Sequence, residues 1–567
     1  MLFRRIVAIA LIGLVSCAAA RADSLTALSD SFWRWRAVEQ PFSTDDIPRI
    51  ERPAGLVVDW SEKSAAGYLH DLAGFERRWQ ALVPAPDSPT SVKVDYRLIG
   101  SALARVRWEL AVEKAWKRNP RFYIDQTLGS VFELLLPPAP FSAARQREVI
   151  ARVRRIPVTL DAAKLNLTDM RRPFAQLAID ALAHVEDDLS RTSAALGVEF
   201  SAHDRPSLDA ALSEAGRALG QYRQWLRARL DTANPATAIG RDDYNFFLRN
   251  VALLPYSPEA MLTLSGQEWA RTVAFEAYQE ARLAGVAPAP IFPDADAQIA
   301  AEAKAERQIR EFLGDNRILT VPAWMPHYRN LLLPTYLEAL QDLGVTDDLT
   351  GPSRLDQDGV SYIRKPRADL GFFYLSTARD PRPIIVHEGV PGHYFQLCLG
   401  WNHPDPIRRH YYDSSSNEGI GFYAEEMMLQ AGLFDDNPRT RSTIYSFMRL
   451  RALRVEVDVR LALGDFSLQQ AADYLEQTVP MDRETALEEA ASFASAPGQA
   501  ISYQVGKLQI TRLLADTRRT RGSAFSLLEF NDFVWLNGNV PLSLQRWELL
   551  GDPGDVPSPV PSDGYSP

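Results

Sequence analysis

Apolar residues recur at three- and four-residue steps along most of the chain. Between 61 and 84 the stripe is Ala65, Tyr68, Leu69, Leu72, Phe75, Trp79 and Leu82, the spacing of one buried helix face. Between 173 and 189 it is Phe174, Leu177, Ala178, Ala181, Leu182, Val185 and Leu189, with Pro173 placed for a first turn. The same period predicts helices at about 97–118, 143–154, 206–232, 257–284, 296–313, 418–432, 442–463 and 468–477. Proline- and glycine-containing breaks separate them, as at 134–140 and 285–293. Strand signals are sparse. The best is the aromatic run Phe372-Phe373-Tyr374-Leu375-Ser376-Thr377. No repeat of fixed period is present, which argues against a regular solenoid. The expected fold is mostly α: a single large helical domain over 23–550, with a small β element beside the helix that carries the chemistry. The Pro/Gly/Ser-rich end, residues 551–567, reads as a disordered tail.

Composition narrows the function classes. The 567 residues are 46% hydrophobic and 24% charged, ordinary globular usage that excludes a disordered, collagen-like or multi-span membrane protein. The net charge of −10 supplies no general field for nucleic acid, so no nucleic-acid partner is expected. There is no phosphate-binding P-loop and no G-x-S-x-G nucleophile elbow. Cys398 lies in the apolar run Phe395–Leu399 and reads as a buried core thiol.

The first residues read as an export signal. Arg4 and Arg5 precede the uncharged apolar run Ile6–Val15, and small residues follow. The run is too short to span a bilayer, which needs about 20 apolar residues. Two processing sites compete. Cleavage after Ala20-Arg21-Ala22 would make 1–22 a signal peptide and the protein periplasmic or secreted. Leu14-Val15-Ser16-Cys17 resembles a lipobox, which would make 1–16 the signal and Cys17 a lipid-bearing tether to the bacterial envelope.

Four of the eight histidines fall between 387 and 410, and two of them frame His387-Glu388-Gly389-Val390-Pro391-Gly392-His393. In the familiar zinc peptidase pattern H-E-x-x-H, four residues turn about 400° and put both imidazoles on one helix face. The glutamate beside the first histidine then reaches the metal-bound water. Here the second histidine is six residues on, and on an unbroken helix it would point away. Pro391 cannot donate to the carbonyl of His387, and Gly392 permits dihedrals closed to other residues. A bulge or break there would bring His393 back. Farther on, Glu418 and Glu425 are seven apart on a predicted helix capped by Ser416 or Asn417, so they share a face. One can bind a metal while the other orients a ligand histidine. The competing reading is plain: half-buried histidines and an acid that merely favours a helix N-terminus.

These residues resemble the bacterial family known as domain of unknown function 885, whose members look like gluzincin-type zinc peptidases. Its H-E-x-x-P-G-H pattern is matched by His387, Glu388, Pro391, Gly392 and His393. Its E-G-x-x-x-Y-x-E pattern is matched by Glu418, Gly419, Tyr423 and Glu425. Its P-G-Q-A-x-x-Y-x-x-G pattern is matched by Pro497, Gly498, Gln499, Ala500, Tyr503 and Gly506. The close resemblance covers about 360–515. It implies a mostly α, zincin-like domain with Zn²⁺ held by His387, His393 and Glu418 and with Glu388 as general base; Glu425, on the same helix face as Glu418, is then expected behind the ligands. Tyr503 becomes the candidate donor to a developing oxyanion. Three positions depart from the family's pattern: Tyr394 where a second histidine is usual, Ala462 where a later histidine belongs, and Ser492 in place of an arginine.

The reading is an exported zinc-dependent metallopeptidase acting on a peptide or small amide substrate. The alternatives are a hydrolase of a non-peptide amide or ester with the same metal, and a non-catalytic helical envelope protein. The strand at 372–377 would pair with an extended substrate. Arg379 or Arg382 would either hold a substrate carboxylate or be solvated surface charge. His403 and His410 are expected outside the metal's ligands. Substrate-binding residues and oligomeric state stay open.

Overall fold

A computed structural model of the protein describes residues 24–42, 50–56, 58–479 and 481–561. It is 67% helix and 3% strand, so the mostly α expectation holds. Residues 1–22, read above as an export signal, and Cys17 with them lie outside the described residues. No helix among the described residues is long and apolar enough to cross a membrane.

The apolar stripes become helices close to where their spacing puts them: Glu62–Gln80, Arg205–Arg227, Pro258–Arg282, Ala295–Asp315, Pro438–Leu463 and Leu468–Thr478. Side-chain caps fix several starts. Ser61 accepts from the Ser64 amide, and Asp294 from that of Ala297. Ser467 and Gln470 form a reciprocal capping box. Three stripes end differently. The helix expected at 97–118 starts at Thr90, widens to a π-turn over Trp108–Glu113 and breaks at Lys114, whose φ is 54°. The helix expected at 143–154 runs on to Asn166 through Pro157. Ile156, Leu160 and Ala163 beyond it are buried, and that burial outweighs the roughly 3 kcal/mol that an interior proline costs. The stripe at 173–189 splits into Arg172–Ala181 and Val185–Leu196.

The strand expected at 372–377 is a correction. Residues Phe372–Thr377 form a short helix. Ser376 and Thr377 hydroxyls bond back to the carbonyls of Phe372 and Phe373. A helical turn lets Phe372 pack on Phe447, ring centroids 5.5 Å apart, and brings Phe373 to 5.7 Å from the same ring. Tertiary packing overrides the aromatic β preference here. A substrate strand cannot add to these residues.

The sheet comes from elsewhere. Strand β1 is Tyr328–Leu332, β2 is Asp347–Asp348 and β3 is Gly359–Ile363, in the order β1-β3-β2. β1 runs parallel to β3 with Tyr328 opposite Gly359; β2 is antiparallel with Asp347 opposite Ser361. This small sheet does stand beside the histidine motif, since the ring of Tyr328 in β1 lies 5.8 Å from that of Tyr394.

One core joins the helices before about residue 253 through Leu28, Leu98, Phe132, Leu212 and Tyr222, and takes in Tyr362, Val540 and Leu544 from later elements. A second core surrounds the motif: Ile309, Tyr328, Ile385, Val386, Phe395, Phe422 and Trp535. Two helix pairs frame it, Ser414–Ala431 against Ser502–Arg521 and Pro258–Arg282 against Pro438–Leu463. The tail also departs from expectation. Over 551–561 it is held to the body: Arg97 donates to the Pro557 carbonyl, and Asn250 exchanges two bonds with the Val560 backbone. Prolines in this segment remove amide donors but leave carbonyls for such partners. Residues 562–567 lie outside the described residues.

Candidate metal centre

The histidine motif is not one helix. Ile385–Gly389 is a π-turn, Val390 is extended at φ −126° and ψ 118°, and a new helix, His393–Trp401, begins after Gly392. The break falls at Pro391-Gly392, where the missing amide and the missing Cβ were expected to place it. Gly392 is needed for closeness. A Cβ on it would sit 1.7 Å from the carbonyl oxygen of His387. The two imidazoles therefore meet, with centroids 4.7 Å apart and planes at 77°.

The carboxylates come from the helix Ser414–Ala431. Its cap is Asp413, whose side chain accepts from the Ser416 amide at 3.0 Å. This corrects the expected cap at Ser416 or Asn417. Both of those residues are buried inside the first turn, so the helix starts earlier. Glu418 is fully buried, and its Oε2 stands 3.2 Å from His393 Nε2 and 3.5 Å from His387 Nε2. Glu425, two turns on, puts Oε1 2.7 Å from His387 Nδ1. Gly421 lies between them in sequence and faces both rings; a Cβ there would be 3.0 Å from the Cε1 of each histidine.

A second glycine pair sets the neighbouring helix. Gly419 and Gly506 let the helices Ser414–Ala431 and Ser502–Arg521 touch backbone to backbone, with a Cβ on Gly506 falling 2.0 Å from the Ser415 carbonyl oxygen. That contact brings Tyr503 beside the histidines, its ring stacked at 11° and 6.0 Å from that of His387. The loop before it is held by buried Asp458, which accepts from the amides of Gly498 and Ala500 and from the Tyr244 hydroxyl.

Besides Glu425 on the Nδ1 side of His387, two carboxylates approach the Nε2 atoms, and they differ. Ligand atoms of His387, Glu388 and His393 all lie within 4.8 Å of one another. Glu388 is 3.9 Å from His393 Nε2 and a quarter exposed, whereas Glu418 is nearer to both nitrogens and has no exposure. In a tetrahedral zinc site with bonds of about 2.0–2.2 Å, ligand atoms stand roughly 3.3–3.5 Å apart. Glu418 with His387 and His393 matches that spacing. Glu388 fits the open, solvent-reached side.

Electrostatics point the same way. Burial by itself pulls the His387 imidazole down, but Glu418 and Glu425 outweigh it and push it up to about 10. His393 is likewise raised against burial, by Glu418. Burial would raise the Glu418 carboxyl, yet His393 and His387 hold it well below the usual carboxylate range. The field at this point favours positive charge. Neither oxygen of Glu418 receives a hydrogen bond from the protein, although a buried carboxylate left so is costly. Two imidazole nitrogens, a carboxylate oxygen and this field fit a first-row divalent ion such as zinc.

The sequence-derived candidates His387, His393, Glu418, Glu425, Glu388 and Tyr503 are thus brought together. Others are kept apart. His403 accepts from the Asp405 amide, and His410 packs against Trp33. Cys398 is buried. Arg382 is bound to Asp380 and Asp436, which leaves it no role as a carboxylate clamp. Of the three departures, Tyr394 is buried with its ring toward Tyr328, Ala462 lies in a core with Trp108 and Phe247, and Ser492 is exposed. A cavity of about 350 Å³ lies elsewhere, lined by Trp33, Leu397, Trp401, Tyr411 and Tyr412 but by none of the converging ligands.

Sequence reasoning missed Arg451 and Arg454. Arg451 Nη2 is 2.9 Å from Glu425 Oε1, and Arg454 lies 4.6 Å over the Tyr503 ring while paired with Glu489. Their spacing with Asp458, at i, i+3 and i+7 on one helix, was the available signal.

A family model described as a bacterial protein of unknown function, DUF885, matches residues 50–549. A solved structure from Shewanella oneidensis, described as a candidate lipoprotein of unknown function, is similar over 94% of this chain and 99% of its own, at 17% identity and TM-score 0.69. Another, described as a candidate lipoprotein from Colwellia psychrerythraea, is similar over 94% and 98%, at 15% identity and TM-score 0.73. At these identities the likeness speaks for the fold. Among curated proteins, none matches the chain.

Proposed function

The chain belongs to the DUF885 family of bacterial proteins of unknown function, and for this member we propose a zinc-dependent hydrolase of peptide bonds, exported to the cell envelope. The observation that carries the reading is the convergence of His387 Nε2, His393 Nε2 and Glu418 Oε2, with Glu425 behind one histidine and the partly exposed Glu388 in front. We read this as a zincin-like arrangement in which a broken helix replaces the usual four-residue spacing. The export signal and the candidate-lipoprotein description of the two solved relatives support the location. Cleavage after Ala22 or lipidation at Cys17 decides between a soluble and a tethered form.

His387, His393 and Glu418 would hold the ion, leaving a side open. Zinc bound there supplies Lewis acidity, polarising a carbonyl and bringing a water's pKa toward neutrality. Glu388 has the solvent access and the proximity to take a proton from water and to return one to the leaving amine. Tyr503, whose ring stacks on that of His387, would donate its phenolic hydrogen to the oxygen on which charge develops. Glu425, 2.7 Å from His387 Nδ1, would orient that ring so that Nε2 meets the ligand position.

The test is zinc content followed by digestion of a peptide library, read by mass spectrometry. Wild-type protein is expected to hold about one zinc per chain and to cleave peptides. Glu388→Gln is expected to keep the zinc and lose about 10²–10⁴ in rate. Protein that binds no zinc, or a glutamine variant that turns over normally, refutes the reading. A silent peptide library with turnover of simple amides or esters would move the substrate class and leave the site in place.

A further inference from the structure

We propose that Arg451 is a positioning residue for the zinc site, acting on His387 through Glu425. The inference rests on the zinc reading above. One oxygen carries the link: Glu425 Oε1 is 2.7 Å from His387 Nδ1 and 2.9 Å from Arg451 Nη2. Both charged side chains are buried, Glu425 at 1% and Arg451 at 6% side-chain exposure. Among the described residues Glu425 is the sole acid within ion-pair distance of Arg451. A buried carboxylate and a buried guanidinium are each too costly to leave alone, so each fixes the other's place.

The surroundings make the guanidinium rigid. Phe422, Phe447 and Tyr503 present their rings at 5.2, 5.3 and 5.6 Å from its central carbon. Its Nε and Nη1 make no hydrogen bond. The group is therefore held by ring faces and by one oxygen of Glu425, an arrangement that suits a planar cation and not an ammonium. His387 Nδ1 and Glu425 Oε1 are not aligned for a hydrogen bond, so the link is one of charge: with Oε1 pinned by the guanidinium, a negative charge stands 2.7 Å from Nδ1 and favours the proton there, leaving the Nε2 lone pair for the ligand position. Arg451 touches neither ligand nor substrate; its effect travels through Glu425.

Zinc affinity tests this, measured by competition with a chromophoric chelator on the full mature chain. Arg451→Met removes the charge and keeps apolar bulk between the rings. It is expected to weaken zinc binding about 10-fold, the lower end for groups that support a ligand. In a Glu425→Gln background the same change is expected to have no further effect, because the carboxylate charge that Arg451 and His387 share is already gone. A packing role would leave the Arg451 effect undiminished in that background. The absorption of the cobalt-loaded protein should shift in Arg451→Met, as the His387 geometry relaxes. If the methionine variant does not fold, Arg451→Lys carries the test, with an expected loss of about three-fold that vanishes beside Glu425→Gln. Wild-type zinc binding with no loss in either variant, or a loss that persists in the Glu425→Gln background, overturns the relay alone. Failure of the wild type to bind zinc overturns the metal reading and the relay with it.

Discussion

Gly421→Ala probes how closely the ligand geometry depends on one missing methyl group. The new Cβ would stand 3.0 Å from Cε1 of both His387 and His393 and 3.1 Å from His387 Nδ1. Carbon atoms in contact prefer about 3.5–4.0 Å, so the rings must retreat by roughly 0.5–1 Å or the helix must bow away. Either movement opens the 3.2 and 3.5 Å separations between Glu418 Oε2 and the two Nε2 atoms. Functional geometry tolerates about 0.5 Å, and a 1 Å misplacement costs on the order of 10²-fold in rate. The fold should suffer less. Alanine favours a helix interior by about 1 kcal/mol over glycine, against an overpacking cost of about 1–3 kcal/mol, for a net loss of roughly 0–2 kcal/mol. We expect zinc affinity and peptide turnover each to fall by about one to two orders of magnitude, with a melting temperature within a few degrees of wild type. Chelator competition, a peptide assay and thermal unfolding monitored by circular dichroism measure the three. Wild-type zinc affinity in the folded variant would refute the placement of Gly421 against the ligands. A collapse of stability would assign the glycine to folding instead.

Two further expectations follow from other parts of the structure. Tyr503→Phe should cut kcat by about 10²–10³ with zinc content unchanged; a kcat within a few-fold of wild type returns Tyr503 to a packing role against His387 and Arg454. Asp413→Asn should stabilise the protein more at pH 8 than at pH 5, because burial, opposed by Arg105, raises the Asp413 carboxyl from its ordinary 3.8 to about 7. The folded chain then holds that proton more tightly than the unfolded one, so the group's favourable contribution is complete below about pH 4 and is lost as pH rises through 7. Asparagine caps the helix as well and carries no charge; an equal gain in melting temperature at both pH values would sink this argument.

Much of the site was legible before the fold was known because its chemistry lies in short strings. His387 and His393 flank a proline and a glycine, and the backbone breaks at those two residues. Glu418 and Glu425 are seven apart on a helix, and both face the histidines. What stayed hidden involves partners distant in sequence. Arg451 has no assigned role in the sequence, and its partner becomes visible only when Glu425 stands beside it. Phe372–Thr377 reads as a strand because aromatic residues favour sheets, but Phe447 offers a face that a helical turn meets better. The tail at 551–561 reads as unstructured because its composition cannot form a core; Arg97 and Asn250 hold its carbonyls and amide from outside.

The order of apolar and polar residues by itself determined the helical class, because a 3.6-residue period needs only local backbone geometry to become a buried face. It also determined where the histidine helix must break, since Pro391 lacks a donor and Gly392 lacks a Cβ wherever they are placed. Only the tertiary structure decided how far each carboxylate stands from the imidazoles. Glu388 is adjacent to His387 in sequence, yet Glu418 is the one at 3.2 and 3.5 Å from the two nitrogens. The reason is that such distances depend on how helices cross, here on Gly419 touching Gly506 and Gly421 yielding space to both rings. A close crossing is a property of two surfaces together, and neither sequence segment contains it alone.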